Sequence, residues 1–597
     1  MKKVRIGNSS GFWGDEPMAM ERQVRMGRLD YLSADYLAEV SMSILAKQQA
    51  RDEQLGYVTD FVEHVQLSLE ALKTHFPKIV TNAGGNNPIA CAKALQALLS
   101  EAGFKKKVIA VTGDNIITKV PELRQVGNTF SNLETGEGFE EMSGRLRTAN
   151  AYTSSEGIVK ALEMGADIVI CGRASDSALA IGPIKHEMGW SSDQWDLMAS
   201  AMVAGHLIEC GTQVTGGNYT DWKDIKGWHH MGYPIVEFFE DGYFIVTKAP
   251  GTSGVVNEWT VKEQLVYEIA DPENYMGPDV IADLTTLEVT WISMDQVMVK
   301  GVKGKPAPDT WKVSMAYHDG YRATGHVVVG GAEAHLKAET LKEILWNRLP
   351  DFDKTRTSFI GSDALGQSLK NPDPKEILLQ FTAFDQAQEK LNQFSKEVAG
   401  LILSGPQGVA AYGGRPKVQE VMAYWPTLVF KKDLELGLWE VDDKGKASNV
   451  LTFHPEAMKT STDSSHRSKT TTISLSVQVP TNGAEVPLDN ICLARSGDKG
   501  NSINLGVIAR SRLAYEYIHK YLTPDLLKRW FSDICEGEIM RYELENLLAL
   551  NFVLHESLDG GGTRSGRLDP QGKMLASAFL QKRMFVPKSV MDSVLIK

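Results

Sequence analysis

The sequence predicts an α/β fold: a large N-terminal domain with a mostly parallel sheet and a β-rich insertion, then a small C-terminal α+β domain. Three observations lead there. Short β-branched runs alternate with helical stretches between Val4 and Pro183, and each run stops at a Gly/Asn/Asp/Ser loop. A second region, 285–331, is dense in strand-forming residues without intervening helices. Finally, a Ser/Thr-rich stretch without apolar periodicity separates residues 1–455 from a compact remainder, 488–597.

The first unit is "VRIGNSSG". The second, "KIVTNAGGNNP", places Pro88 where proline suits the first turn of a helix, and "IACAKALQALLSEAG" supplies that helix, closed by Gly103. "KVIAVTGDN" is the next strand and loop. "TSSEGIVKALEMG" reads as a helix opened by a serine with Glu156 in the manner of a capping box, and it leads into "ADIVICGRASD". Strand and helix alternating in this way imply a parallel sheet covered on both faces. Farther along, "GYPIVEFFEDGYFIVTKAP" reads as a hairpin turning at Asp241-Gly242, and 332–349 as a helix. Residues 456–487 are expected to be a linker. Beyond it, "NICLARSGDKGNSINLGVIAR" gives two apolar runs around a glycine-rich turn. Residues 511–534 read as helical and "NLLALNFVLHESL" as a strand.

At 597 residues and 43% hydrophobic, the chain exceeds what one core supports. Its 63 basic and 75 acidic residues give a net charge of −12, which offers no general attraction to nucleic acid or anionic lipid. Cys91, Cys171, Cys210, Cys492 and Cys535 form no C-x-x-C pair and are odd in number, against both a disulfide framework and a zinc knuckle. With no signal-like h-region and no apolar run of ~18 residues, the expectation is a cytoplasmic protein without membrane or nucleic-acid partners.

In an open parallel sheet the loops after the strands share one edge, where ligands bind. Asn82, Asn86, Asp114, Asn115, Arg173 and Asp176 all fall in such loops, beside Asn8 and Ser9. Asp176 or Asp114 is the expected base, and Arg173 with Asn82 and Asn86 the expected holder of an oxyanion or carboxylate, with Asn115 beside them. Pairing of Arg173 with Asp176 for structural reasons alone competes with this. In the C-terminal domain Arg495, Asp498, Lys499 and Asn501 concentrate both charges in a tight loop that could bind an anion. A second glycine-rich loop carries Arg564 and Arg567 and reads more readily as a turn. Weaker signals are Gly7-Asn8-Ser9-Ser10-Gly11, which matches G-x-S-x-G but sits on the first strand of the chain, and His206 with Glu209 three residues on. Neither a P-loop nor a dinucleotide fingerprint occurs, and no metal site is assigned.

"GNSSGFWGD", "VTNAGGNNP", "VTGDN", "GADIVICGRASDSALAIGP", "GHLIECGTQVTGGNYTDW" and "LARSGDKGNSINLGVIAR" together resemble the acyclic terpene utilisation family AtuA, over nearly the whole chain. The resemblance implies an AtuA domain followed by a ferredoxin-like domain, and a part in breaking down branched isoprenoid acids through coenzyme A thioesters. It carries over no catalytic residues. The expectation is an enzyme acting on a carboxylate or acyl-CoA, a hydratase, dehydratase or related lyase, and a homo-oligomer. The cofactor is left open, with nothing beyond a CoA-linked substrate indicated. The competing expectation is a non-catalytic subunit that binds a CoA ester for another enzyme.

Overall fold

The computed structural model describes residues 2–38, 40–363, 371, 373–456 and 482–595. The first domain is built from β1 (Lys3–Asn8), α1 (Ala19–Gly27), β2 (Tyr31–Ala34), α2 (Ser41–Arg51), α3 (Thr59–Thr74), β3 (Lys78–Thr81), α4 (Pro88–Glu101) and β4 (Val108–Thr112). It continues through α5 (Val120–Gln125), β5 (Leu146–Ala151), α6 (Glu156–Glu163), β6 (Ile168–Cys171), α7 (Ala178–Met188) and α8 (Trp195–Ile208). After these come β7 (Pro234–Phe239), β8 (Phe244–Lys248) and α9 (Glu258–Leu265).

Strands β1-β2-β3-β6-β4 run parallel in that order at the heart of an 11-stranded sheet, and antiparallel strands extend both sides. Next to β1 lie β7, β8, Gln296–Lys300 and Glu288–Ser293; next to β4 lie Leu436–Val441 and Ala447–Phe453. Successive residues of one strand face opposite layers. Ile79 and Ile168 pack with α1, α3 and α4 through Val24, Val65 and Leu95, whereas Val80 and Val169 pack with α6, α7 and α8 through Ile158, Ile181 and Met202. Burial on both faces explains why these strands are unbroken apolar runs. The chain advances from β1 to β4 with its helices on one face, then returns to β6 across the other. The reversal sets a crevice at the carboxyl edge of the parallel strands.

Helix α4 starts as its sequence predicts: Pro88 occupies the first turn and the Asn87 side chain accepts a hydrogen bond from Ala90 N at 3.3 Å. The capping box expected at α6 does not form. Ser155 donates instead to Asp279, at 2.6 Å, because Asp279 reaches in from another segment and takes both the hydroxyl and the backbone amide of Ser155. The hairpin at Asp241-Gly242 joins β7 to β8 as expected.

The β-rich insertion extends farther than 285–331. Its spine is the 21-residue strand Thr310–Gly330, which pairs with β5, Glu376–Asp385, Val409–Tyr412 and Val418–Phe430 in a six-stranded sheet. The helix expected over 332–349 forms as Ala334–Arg348. Through β5, and through bridges Asn115 to Asn150 and Thr153 to Ala174, the second sheet is stitched against the loops that follow β4 and β6.

Most of the expected linker, 457–481, lies outside the described residues; its last five residues, Gly483–Pro487, form a strand paired with Arg583–Pro587. The C-terminal domain holds a four-stranded antiparallel sheet, in the order Cys492–Lys499, Ser502–Ala509, Ala549–Leu554, Ile539–Leu544. The helical stretch expected over 511–534 forms as two helices, Arg512–Tyr521 and Pro524–Trp530, because Pro524 cannot continue the first and begins the second, capped by Thr523. Its second glycine-rich loop is a contact with the insertion. There Asp559 pairs with Lys354 at 2.7 Å, and Arg564 with Asp319 at 3.0 Å, while the Thr563 hydroxyl donates to Met422 O at 2.5 Å. Among the described residues no helix is long and apolar enough to cross a membrane.

Candidate active site

At the carboxyl edge of the parallel strands a tightly packed cleft, without room for a water in this conformation, is lined by Asn8, Ser33, Asp35, Asp176 and Glu209, with Leu179, Ala180, Gly205 and Ile208 as its apolar wall. The polar groups come from four segments of the chain. Asn8 closes β1, Ser33 and Asp35 flank the end of β2, Asp176 lies in the loop after β6 and Glu209 follows α8.

Arg173 and Asp176 do pair, at 2.7 Å, and Arg173 also donates to Ala174 O at 3.0 Å while stacking on Tyr152. Only 2% exposed, Arg173 leaves its Nε without a hydrogen-bond partner. Asp176 is the accessible member, and its carboxylate lines the cleft. Asp35 stands across from it. Burial and then the charge of Asp176 push the Asp35 carboxyl well above the ordinary carboxylate range, against the opposing pull of Arg173, Asn82 and the Leu37 amide. The cleft therefore joins an ion-paired carboxylate to a carboxyl inclined to keep its proton.

Glu209 forms the third acidic wall. Its pKa is likewise raised by burial, with His206 pulling it back. His206 Nε2 lies 2.9 Å from Gln264 O, an atom that only accepts, so Nε2 carries hydrogen. Its Nδ1 sits 3.2 Å from Glu209 Oε1 and 3.3 Å from the Tyr275 hydroxyl. Nδ1 and Oε1 are thus close enough for one hydrogen to lie between them. Among the described residues no group of His, Cys, Asp and Glu side chains could hold a metal ion.

The other sequence candidates are placed as follows. Asp114 is 4% exposed and accepts from Arg173 N at 2.8 Å and Asn150 Nδ2 at 3.0 Å, so it fixes the loop that carries Arg173. Gly172 makes this approach possible, since a Cβ there would stand 2.1 Å from Asp114 Oδ1. Asn82 donates to Asp35 at 2.6 Å and accepts from Tyr36 N at 2.9 Å. Asn86 and Asn115 lie in an amide network with Asn150, behind the Asp114 side of the loop. Arg495 is buried in an ion pair with Glu263 at 2.6 Å, and Lys499 reaches Glu268 O at 3.5 Å. Asn501 accepts from Gly560 N at 2.8 Å; Asp498, on the same hairpin, lies near Tyr267. These C-terminal groups face the domain contact and are not among the residues of the cleft. Ser9 and Ser10 of the G-x-S-x-G match are buried and spend their hydroxyls on Ser33 O and Phe12 O.

Asp35 escaped the sequence reading. Its strand has four residues, too few for a periodicity, yet "SADY" repeats the small-residue-then-aspartate ending of "GRASD" after another strand.

The match to known protein families settles where the chain belongs: residues 4–438 match the model of the acyclic terpene utilisation family protein AtuA, and 486–584 that of the AtuA ferredoxin-like domain. The chain belongs to the AtuA family. Its antiparallel C-terminal sheet is accordingly the ferredoxin-like domain, and family membership supports a part in acyclic terpene utilisation. Neither a curated protein nor a solved structure matches it. In this AtuA chain the motif "GADIVICGRASDSALAIGP" is the segment that delivers Asp176 to the cleft, with its buried partner Arg173 behind it.

Asp114 also yields a pH prediction. Burial pushes its carboxyl up to about 6, so the native state holds a proton that the unfolded chain releases near pH 4. Stability from this group is complete at low pH and is lost as pH rises through about 6. Between pH 4 and pH 7 the Asp114→Asn protein is expected to gain about 2 kcal/mol relative to wild type, at 1.36 kcal/mol per unit. Parallel urea denaturation of both proteins across that range measures the difference.

Proposed function

We propose that the protein is an enzyme that moves protons at a carboxylate or acyl-CoA substrate, in a hydration, dehydration or related lyase step. The observation that supports the reading is the opposition of Asp35 and Asp176 in one cleft. Asp176, held in an ion pair, is suited to take the proton beside a carbonyl; Asp35, desolvated and facing a like charge, is suited to give one to a departing hydroxyl. Glu209 with His206 is a further proton store on the same wall. The family's tie to acyclic terpene utilisation favours a branched acyl chain, and Leu179, Ala180 and Ile208 would face its carbon skeleton.

The test is exchange in heavy water. The purified protein is incubated with branched and unbranched enoyl- and hydroxyacyl-CoA esters and with the free acids, and deuterium at the carbon beside the carbonyl is followed by mass spectrometry. Incorporation that disappears in Asp176→Asn is the expected result. Binding of a thioester without exchange or turnover would overturn the catalytic reading in favour of a ligand-binding subunit.

A further inference from the structure

The ferredoxin-like domain grips one stretch of the N-terminal domain, Glu263 to Ala270, from several sides. Arg495 holds Glu263 at the front. Asn504 Oδ1 accepts from Glu268 N at 2.7 Å and its Nδ2 donates to Ile269 O at 3.0 Å. From the adjacent strand, Asn551 Nδ2 donates to Ile269 O at 2.7 Å and Ala270 O at 2.8 Å. The two asparagines, both buried, bond to each other as well. The gripped stretch turns through Glu268, whose φ of 56° is a conformation a non-glycine residue keeps only where its surroundings impose it.

Within this stretch, Gln264 is the residue that meets His206. Its carbonyl receives His206 Nε2 and its side-chain amide donates to His206 O at 3.2 Å. A carbonyl opposite Nε2 dictates which nitrogen carries hydrogen, and thereby leaves Nδ1 to Glu209 and Tyr275. We infer that Asn504 and Asn551 are positioning residues of the cleft: by fixing the 263–270 backbone they hold Gln264 O against His206 and so aim the ring's Nδ1 at Glu209. The ferredoxin-like domain contributes to the chemistry through the main chain of its neighbour.

Simple adhesion between domains would not need two buried amides spent on the three main-chain groups of residues 268–270. A carbonyl or amide left unpaired there costs the desolvation of that group, so loss of Asn551 releases the stretch. The claim rests on the acid–base reading only in giving Glu209 a use; the orientation of His206 is measurable without turnover.

The experiment uses the full chain, deuterated and carrying 15N in its histidine rings, with long-range 1H–15N spectra reporting which ring nitrogen bears hydrogen. The His206 signals are assigned by their loss in His206→Gln. Wild type is expected to show hydrogen on Nε2. Asn551→Leu is expected to lose that pattern. Thr220→Val, which removes the Thr220 hydroxyl bonds to Ala494 at the same domain interface and leaves the backbone bond from Thr220 N to Glu263 in place, is expected to keep it. Retention of the wild-type pattern in Asn551→Leu, or its equal loss in Thr220→Val, overturns the inference. Asn504→Ser is the substitute if Asn551→Leu does not fold, with the same outcomes deciding.

Discussion

Arg495→Leu is expected to destabilise the protein by about 3–5 kcal/mol, the cost of leaving one member of a buried ion pair without the other. Glu263 is fully buried and takes Arg495 through Nε at 3.1 Å and Nη2 at 2.6 Å; its other oxygen accepts from Thr220 N at 3.1 Å. Two further guanidinium hydrogens go to Gln213 and Gly217 O. Glu263 is shielded from solvent, so the penalty falls on folding and on the seating of the ferredoxin-like domain together. The double variant Arg495→Leu, Glu263→Leu removes both charges and is expected to recover most of the loss. Urea unfolding of the three proteins supplies the comparison. If Arg495→Leu unfolds within 1 kcal/mol of wild type, on the order of what an exposed pair contributes, the pair is solvated in solution.

The fate of the Arg495 loop shows where reading a sequence stops. "RSGDKGN" has the charge and glycine content of an anion cradle because a ligand lying close to a backbone excludes Cβ atoms. A neighbouring domain excludes them just as well. A Cβ on Gly497 would come within 2.5 Å of the Tyr267 ring, and one on Gly500 within 1.6 Å of the Glu134 carboxylate. Both partners lie more than 200 residues away, so nothing local separates the two causes. Distance also hid the second sheet. Thr310–Gly330 is visible as strand-forming sequence, but its longest pairing is with Val418–Phe430, about a hundred residues on, and its link to the cleft runs back to β5. By contrast, the parallel sheet was legible because each of its signals is local: Pro88 and Gly103 delimit α4, and the apolar run of β6 ends at Gly172. That is why Arg173 and Asp176 could be picked out, and why Asp35, after a strand of four residues, could not.

Asp35→Asn is expected to lower kcat/KM by 10²–10⁴-fold, the usual contribution of a positioned acid, with little change in thermal stability. The asparagine keeps an oxygen for Asn82 Nδ2 and Leu37 N, 2.6 and 3.0 Å from the present carboxyl oxygen, so the loop after β2 is undisturbed. What it loses is the dissociable proton. An acid must be protonated to act, so the alkaline limb of wild-type turnover is expected to fall as pH rises through the raised Asp35 pKa. Asp176→Asn separates the roles of the two carboxyls. It removes the like charge that helps keep Asp35 protonated and leaves the Arg173 guanidinium to pull the other way, so any residual activity should lose its alkaline limb at lower pH than wild type. Because Arg173 is buried and would be left without its carboxylate, this variant should also be less stable, whereas Asp35→Asn should not. A full pH–rate profile for each variant, beside its melting temperature, decides between two cooperating carboxyls and a purely structural ion pair: if Asp35→Asn turns over substrate at the wild-type rate across the whole range, Asp35 is not the acid.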